Sequence, residues 1–151
     1  MKEKQSLCEI IGGLITFLSS YFIEARRAAR ERHREEREHR ITLQRAARLT
    51  EFDLLELEST LFAALEAGKW WPKIELHSFV TSWDSCRPIL ASQLSKEAWH
   101  VVSVAVLVVS GVRELYQNKS GVHLTANEIT LLKTFSQRIK SGRDALRPFA
   151  G

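Results

Sequence analysis

Three prolines, seven glycines and two cysteines are all that 151 residues contain of these types. Sheet-rich folds turn often and draw on glycine and proline at each turn, so this scarcity points to long helices. Cys8 and Cys86 are too few and too far apart for a disulfide framework or a zinc site, and they fit a reducing compartment. The histidines are equally scattered. His33, His39, His77, His100 and His123 form no H-x-x-x-H pair, and the six-residue step from His33 to His39 does not align them on one helix face. There is no G-x-S-x-G, no Walker A and no dinucleotide-binding glycine pattern. Cys86 precedes Arg87, which can favour a thiolate, but no partner is fixed beside it by the sequence. The expectation is a protein that is not an enzyme and needs neither cofactor nor metal.

Charge is present but confined. Residues 1–23 sum to zero, with Lys2 and Lys4 against Glu3 and Glu9. Residues 49–151 also sum to zero, with eleven basic and eleven acidic side chains. Residues 24–48 carry nine arginines and five glutamates, which accounts for the whole net charge of +4. The basic character therefore belongs to one segment of the chain.

Before that segment lies the one long apolar stretch near the N-terminus. It runs without interruption from Ile10 to Ile23, and from Leu7 if Glu9 is allowed within it. A spanning helix wants about 20 apolar residues, range 17–25, so 1–23 is expected to be a short transmembrane helix. Glu9 lies close enough to one end to reach the headgroups. Tyr21 suits the opposite interface. The arginines that follow, beginning with Arg26, Arg27 and Arg30, put the C-terminal side in the cytoplasm by the positive-inside rule and the N-terminus outside. Arg26, Arg27, Arg30 and Tyr21 are the expected lipid contacts. A cleaved signal peptide fits less well, because Ser19-Ser20-Tyr21-Phe22 is a poor cleavage site and the arginines resist translocation. Cys8, Gly12, Thr16 and Ser20 recur every fourth residue, and small side chains at that spacing allow two spanning helices to approach closely.

Residues 24–48 read as a charged helical stalk with no glycine, no proline and no apolar stripe before Ile41. Glu36–Arg40, Arg27–Glu31, Arg32–Glu36 and Arg34–Glu38 sit at i,i+4 and contribute about 0.2–0.5 kcal/mol each. Glutamates interleaved with the arginines, and the lack of aromatics among them, count against nucleic acid as a partner.

Residues 49–151 are expected to form a small bundle of about four helices, giving an all-α chain. The first carries Leu54, Leu57, Leu61 and Leu65, widened by Phe52, Leu55 and Phe62, and ends before Gly68. Thr81 caps a short second helix that Pro88 bends or splits. Ser95 caps the third, whose valine run from Val101 to Val112 is expected to be a buried helix rather than a strand or a second span. Thr125-Ala126-Asn127-Glu128 is a capping box opening a last helix that buries Ile129, Leu132, Phe135 and Ile139. Gly142 ends that helix, or it runs on toward Pro148. Of the adjacent Trp70 and Trp71, one is expected on a partner surface, since two neighbouring indoles are hard to bury together.

The order of these features resembles a set of uncharacterised bacterial single-span membrane proteins. The resemblance rests on the E-A-R-R-A-A-R-E-R stalk, the G-K-W-W-P turn at Gly68–Pro72 and the L-S-K-E-A-W helix start at Leu94–Trp99, and it covers Ile10 to about Tyr116. It implies a single-pass protein of the bacterial inner membrane with a helical cytoplasmic domain, and no particular chemistry. The expected function is a membrane-anchored interaction or scaffold protein whose partners are the bilayer and either a second copy or another protein. The alternatives are a small membrane-active effector and a soluble protein that uses the arginine helix on nucleic acid.

Overall fold

The computed structural model describes residues 2–70, 77–116, 119 and 121–151, with side-chain surroundings from Ser20 onward except at 77–81 and 116. Four helices carry the described chain: α1 (Lys2–Ala67), α2 (His77–Gln93), α3 (Lys96–Tyr116) and α4 (Ala126–Ala150). No strand occurs among the described residues, so the valine run of α3 is helical despite its β-branched content. The chain divides into two compact units, Met1–Arg40 and Ile41–Gly151. The charge pattern of the sequence puts the boundary between Arg48 and Leu49. It falls earlier because Ala46, Ala47 and Thr50 are buried at 2%, 0% and 2% exposure, so packing begins as soon as small and apolar side chains return.

The helix ends obey local rules. Gly68, at φ +64°, takes the left-handed position that closes α1. Ser95 accepts a hydrogen bond from the Ala98 amide at 3.2 Å and opens α3. Thr125, extended at φ −76° and ψ 161°, opens α4 with both halves of its capping box formed. One expectation fails, and of the two ends foreseen for α4 the later is the nearer. Helix α2 begins at His77, so Thr81 lies inside it, and Pro88 sits within one helix instead of dividing it. Helix α4 continues through Gly142 and Pro148 to Ala150.

In the second unit, Leu54, Leu57 and Leu61 of α1 meet Leu90 of α2, Val102, Ala105 and Val112 of α3, and Leu132, Ile139 and Leu146 of α4 in one core. Of the four residues expected to be buried in α4, Leu132 and Ile139 are, while Ile129 and Phe135 are half-buried. Among the described residues, Lys96–Leu115 is the one helical stretch long and apolar enough to cross a membrane, with mean hydropathy 1.5 and 33% of it buried. Val102, Ala105, Val108, Val109 and Val112 of this stretch lie in the core, while Leu107 is 70% exposed.

The connection after α1 is held from two sides. Trp70 N–H donates to the Val122 carbonyl at 2.9 Å, Gly121 N–H to the Trp70 carbonyl at 2.8 Å, and Leu124 N–H to the Gly68 carbonyl at 2.9 Å. Lys69 and His123 form an isolated antiparallel bridge. This clamp fixes the backbone at Trp70 and turns its ring inward, where it is 1% exposed.

Phe52, Leu55 and Phe62 do not widen the core stripe. They are 58%, 40% and 59% exposed, because the face of α1 that the bundle covers is taken up by Ala47, Thr50, Leu54, Leu57, Leu61 and Ala64. A Phe52→Ser/Phe62→Ser double variant should therefore keep the unfolding free energy of the parent to within about 1 kcal/mol, since each exposed position away from special contacts usually changes stability by ±0.5 kcal/mol or less. Urea titration checks this, and a loss of about 3 kcal/mol or more would return these rings to the core.

Candidate functional site

In the first unit, every side chain from Ser20 to Arg40 is exposed. Tyr21 and Phe22 form an edge-to-face pair with ring centroids 6.4 Å apart, and with Ile23 they remain 62%, 62% and 54% exposed. Large apolar groups in that state are uncovered within their own unit. Arg26, Arg27 and Arg30 follow directly and are exposed as well. Further along, Arg34 Nε donates to Glu38 Oε1 at 2.9 Å. That hydrogen bond, with the carboxylate charge behind it, raises the Arg34 guanidinium further above its ordinary value. His33 lies 3.6 Å from Glu36. The glutamates therefore sit among the basic groups, as the alternating sequence requires, and dilute any phosphate-binding surface. Of the small residues at fourfold spacing, Ser20 is exposed; Cys8, Gly12 and Thr16 lie on α1, but their side chains fall outside the described residues.

The tryptophan expectation needs correction in part. Trp71 lies outside the described residues, but Trp70 is core and not partner surface. Its indole Nε1–H reaches Glu128 Oε1 at 3.4 Å, which gives the buried ring a partner for its one polar atom. Glu128 is itself 9% exposed. It also accepts from Lys119 Nζ at 2.5 Å, from the Thr125 amide at 2.8 Å and from Thr125 Oγ1 at 2.9 Å. Chiefly through Lys119, then through the Thr125 backbone and hydroxyl, its carboxyl is lowered to about 2. These contacts join the turn before α4 to the clamp after α1, which is structural work. Trp83 and Trp99 stack at 5.8 Å and 10° and join α2 to α3. Cys86 is 3% exposed among core side chains, away from solvent and any reactant. No group of three or more metal-ligating side chains occurs among the described residues.

A cavity open to solvent lies between α3 and α4 and has a volume of about 550 Å³. His100, Val101 and Val104 line it from α3. From α4 come Thr130, Lys133, Thr134, Gln137, Arg138 and Ser141, which recur at threes and fours and so form one helical stripe. Thr130, Thr134 and Ser141 each donate their hydroxyl proton to the carbonyl four residues earlier, at 3.1, 3.0 and 3.0 Å. Lys133 and Arg138 hold no ion pair among the described residues. The sequence contains the stripe, but a polar helix face looks the same whether it meets water or a groove. Only the packing of α3 alongside it shows which.

Compared with known protein families, with curated proteins and with solved structures, this chain matches none.

Proposed function

We propose that this protein is a membrane-anchored helical interaction module with a binding role and not a catalytic one. Residues 1–23 form the anchor, residues 24–40 the charged spacer, and Ile41–Gly151 the domain that meets a second copy or another protein. The observation that carries the reading is the exposure of Tyr21, Phe22 and Ile23 immediately before Arg26, Arg27 and Arg30. Aromatic and apolar groups at the end of an apolar run, followed at once by basic ones, are what a bilayer interface accommodates. Each arginine near anionic headgroups contributes about 1 kcal/mol. The arginines make the C-terminal side cytoplasmic, so Cys8 faces outward and the four-helix unit inward. Phe52, Leu55 and Phe62, left uncovered on α1, support the interaction role, because apolar side chains gathered in the open mark contact surfaces.

The test is fractionation followed by thiol labelling. The full chain should remain in the membrane pellet after washing at alkaline pH. In intact cells a membrane-impermeant maleimide should label Cys8, while Cys86, enclosed in the bundle, should react only after lysis and denaturation. Release of the protein into the alkaline wash would end the anchored reading. Labelling of Cys8 only after lysis would reverse the orientation.

A further inference from the structure

We propose that the α3–α4 groove is a binding site for a small amphipathic anion, a carboxylate or phosphate ester on a short apolar body. The inference stands on the second unit alone and is independent of how the chain meets the membrane. The groove volume of about 550 Å³ falls within the range of small-molecule sites, about 300–1,000 Å³. Its charge is of one sign. Lys133 and Arg138 are cations, His100 adds an imidazole, and no carboxylate lines the cavity. Three basic side chains of the unit are engaged, Lys119 with Glu128, Arg143 with Glu58, and Arg48 with the Ala150 and Gly151 carbonyls, while others, such as Arg87 and Arg113, hold no ion pair among the described residues. Lys133 and Arg138 have no such partner among the described residues.

The neutral polar groups narrow the choice further. The groove hydroxyls have already given their protons to their own helix, so they offer lone pairs only. The donors free to meet a ligand are the cations, the Gln137 amide and His100, a set that suits an oxyanion better than a sugar or a neutral amide. Val101 and Val104 supply an apolar contact beside them. A ligand that is anionic at one end and apolar at the other satisfies both parts; inorganic phosphate satisfies one.

The test uses the full chain in nanodiscs of zwitterionic lipid, with hexyl phosphate as the probe and the His100 ring protons followed by NMR. Hexyl phosphate should shift these signals saturably. Inorganic phosphate and hexanol should each bind at least about tenfold more weakly. A Lys133→Gln/Arg138→Gln variant, altered only at exposed positions, should keep its helical circular dichroism and lose about tenfold or more in affinity, the scale of losing charge-assisted hydrogen bonds. Val104→Asp should weaken hexyl phosphate more than inorganic phosphate. Binding unchanged in the Lys133/Arg138 variant, or hexanol binding as tightly as hexyl phosphate, would overturn the proposal. Discs containing anionic lipid then separate the sources. A His100 shift in those discs without added probe, lost in the double variant, assigns the site to a lipid headgroup. A shift that needs hexyl phosphate assigns it to a soluble ligand.

Discussion

Replacing Gly142 by alanine lowers the unfolding free energy by about 1–2 kcal/mol, although alanine is the better helix former. In an exposed helix interior the exchange would stabilise by about 1 kcal/mol, because glycine loses more backbone freedom on folding. Gly142 is not exposed. A methyl group there would overlap the Ala105 methyl across the α3–α4 crossing and would also touch Leu54 Cδ1 at 3.5 Å. Neither neighbour is free to retreat, since Ala105 and Leu54 are both fully buried. The helices must separate, and overpacking of this kind costs about 1–3 kcal/mol, which outweighs the gain in propensity. Gly142→Leu should be worse and leave little folded protein at 37 °C. The check is urea unfolding of Gly142→Ala, Ala105→Gly and the double variant. The two single changes should couple by more than about 1 kcal/mol, because moving the methyl from one helix to the other restores the fit. A Gly142→Ala variant as stable as the parent would show that the helices do not approach as described.

Gly142 also shows where a sequence stops being informative. Its glycine reads either as a helix terminus or as one position in a helix that runs on toward Pro148, and the terminus signal is sound elsewhere: Gly68 does end α1 at φ +64°. Local chemistry cannot say whether a glycine is needed for its backbone or for the space it leaves; only the neighbouring helix decides that. The caps at Ser95 and Thr125 were legible because both partners lie within three residues of each other. Features that join distant segments were not. Trp70 is drawn inward by backbone bonds to residues 121 and 122, and nothing within its own stretch of chain distinguishes it from a surface indole. The apolar face of α1 is wider in the sequence than in the core for a related reason. Periodicity reports that Phe52, Leu55 and Phe62 are apolar, but the number of helices available to cover them is a property of the whole bundle. The cationic stripe of α4 belongs to the same class. Its residues could be counted from the sequence, while the valines facing them come from another helix.

The second large effect is a loss of stability in acid that depends on Glu128. Its folded carboxyl is lowered to about 2, against an ordinary value of 4.5. A carboxyl depressed on folding contributes stability that is complete above its unfolded value and disappears as pH falls toward the folded one. The window is therefore between about 4.5 and about 2. A shift of this size corresponds to roughly 3 kcal/mol at about 1.4 kcal/mol per unit, and Lys119, 42% exposed and screened by water, reduces that to about 2 kcal/mol. Glu128→Gln removes the charge while keeping the shape. At pH 7 it should be less stable than the parent by about 2 kcal/mol. The difference should shrink through the window, be mostly gone near pH 2, where the folded parent is half protonated, and vanish only below that. Glu128→Ala should cost more at every pH, because it also removes the carboxylate oxygens to which the Trp70 indole N–H and the Thr125 amide donate. Parallel urea titrations at pH 7, 4 and 2.5 decide the matter. If the parent and Glu128→Gln lose stability together across the window, the acid sensitivity lies in other carboxyls. If they converge, the carboxylate that closes the α4 cap is also the group that holds Trp70 and the turn beside it in place.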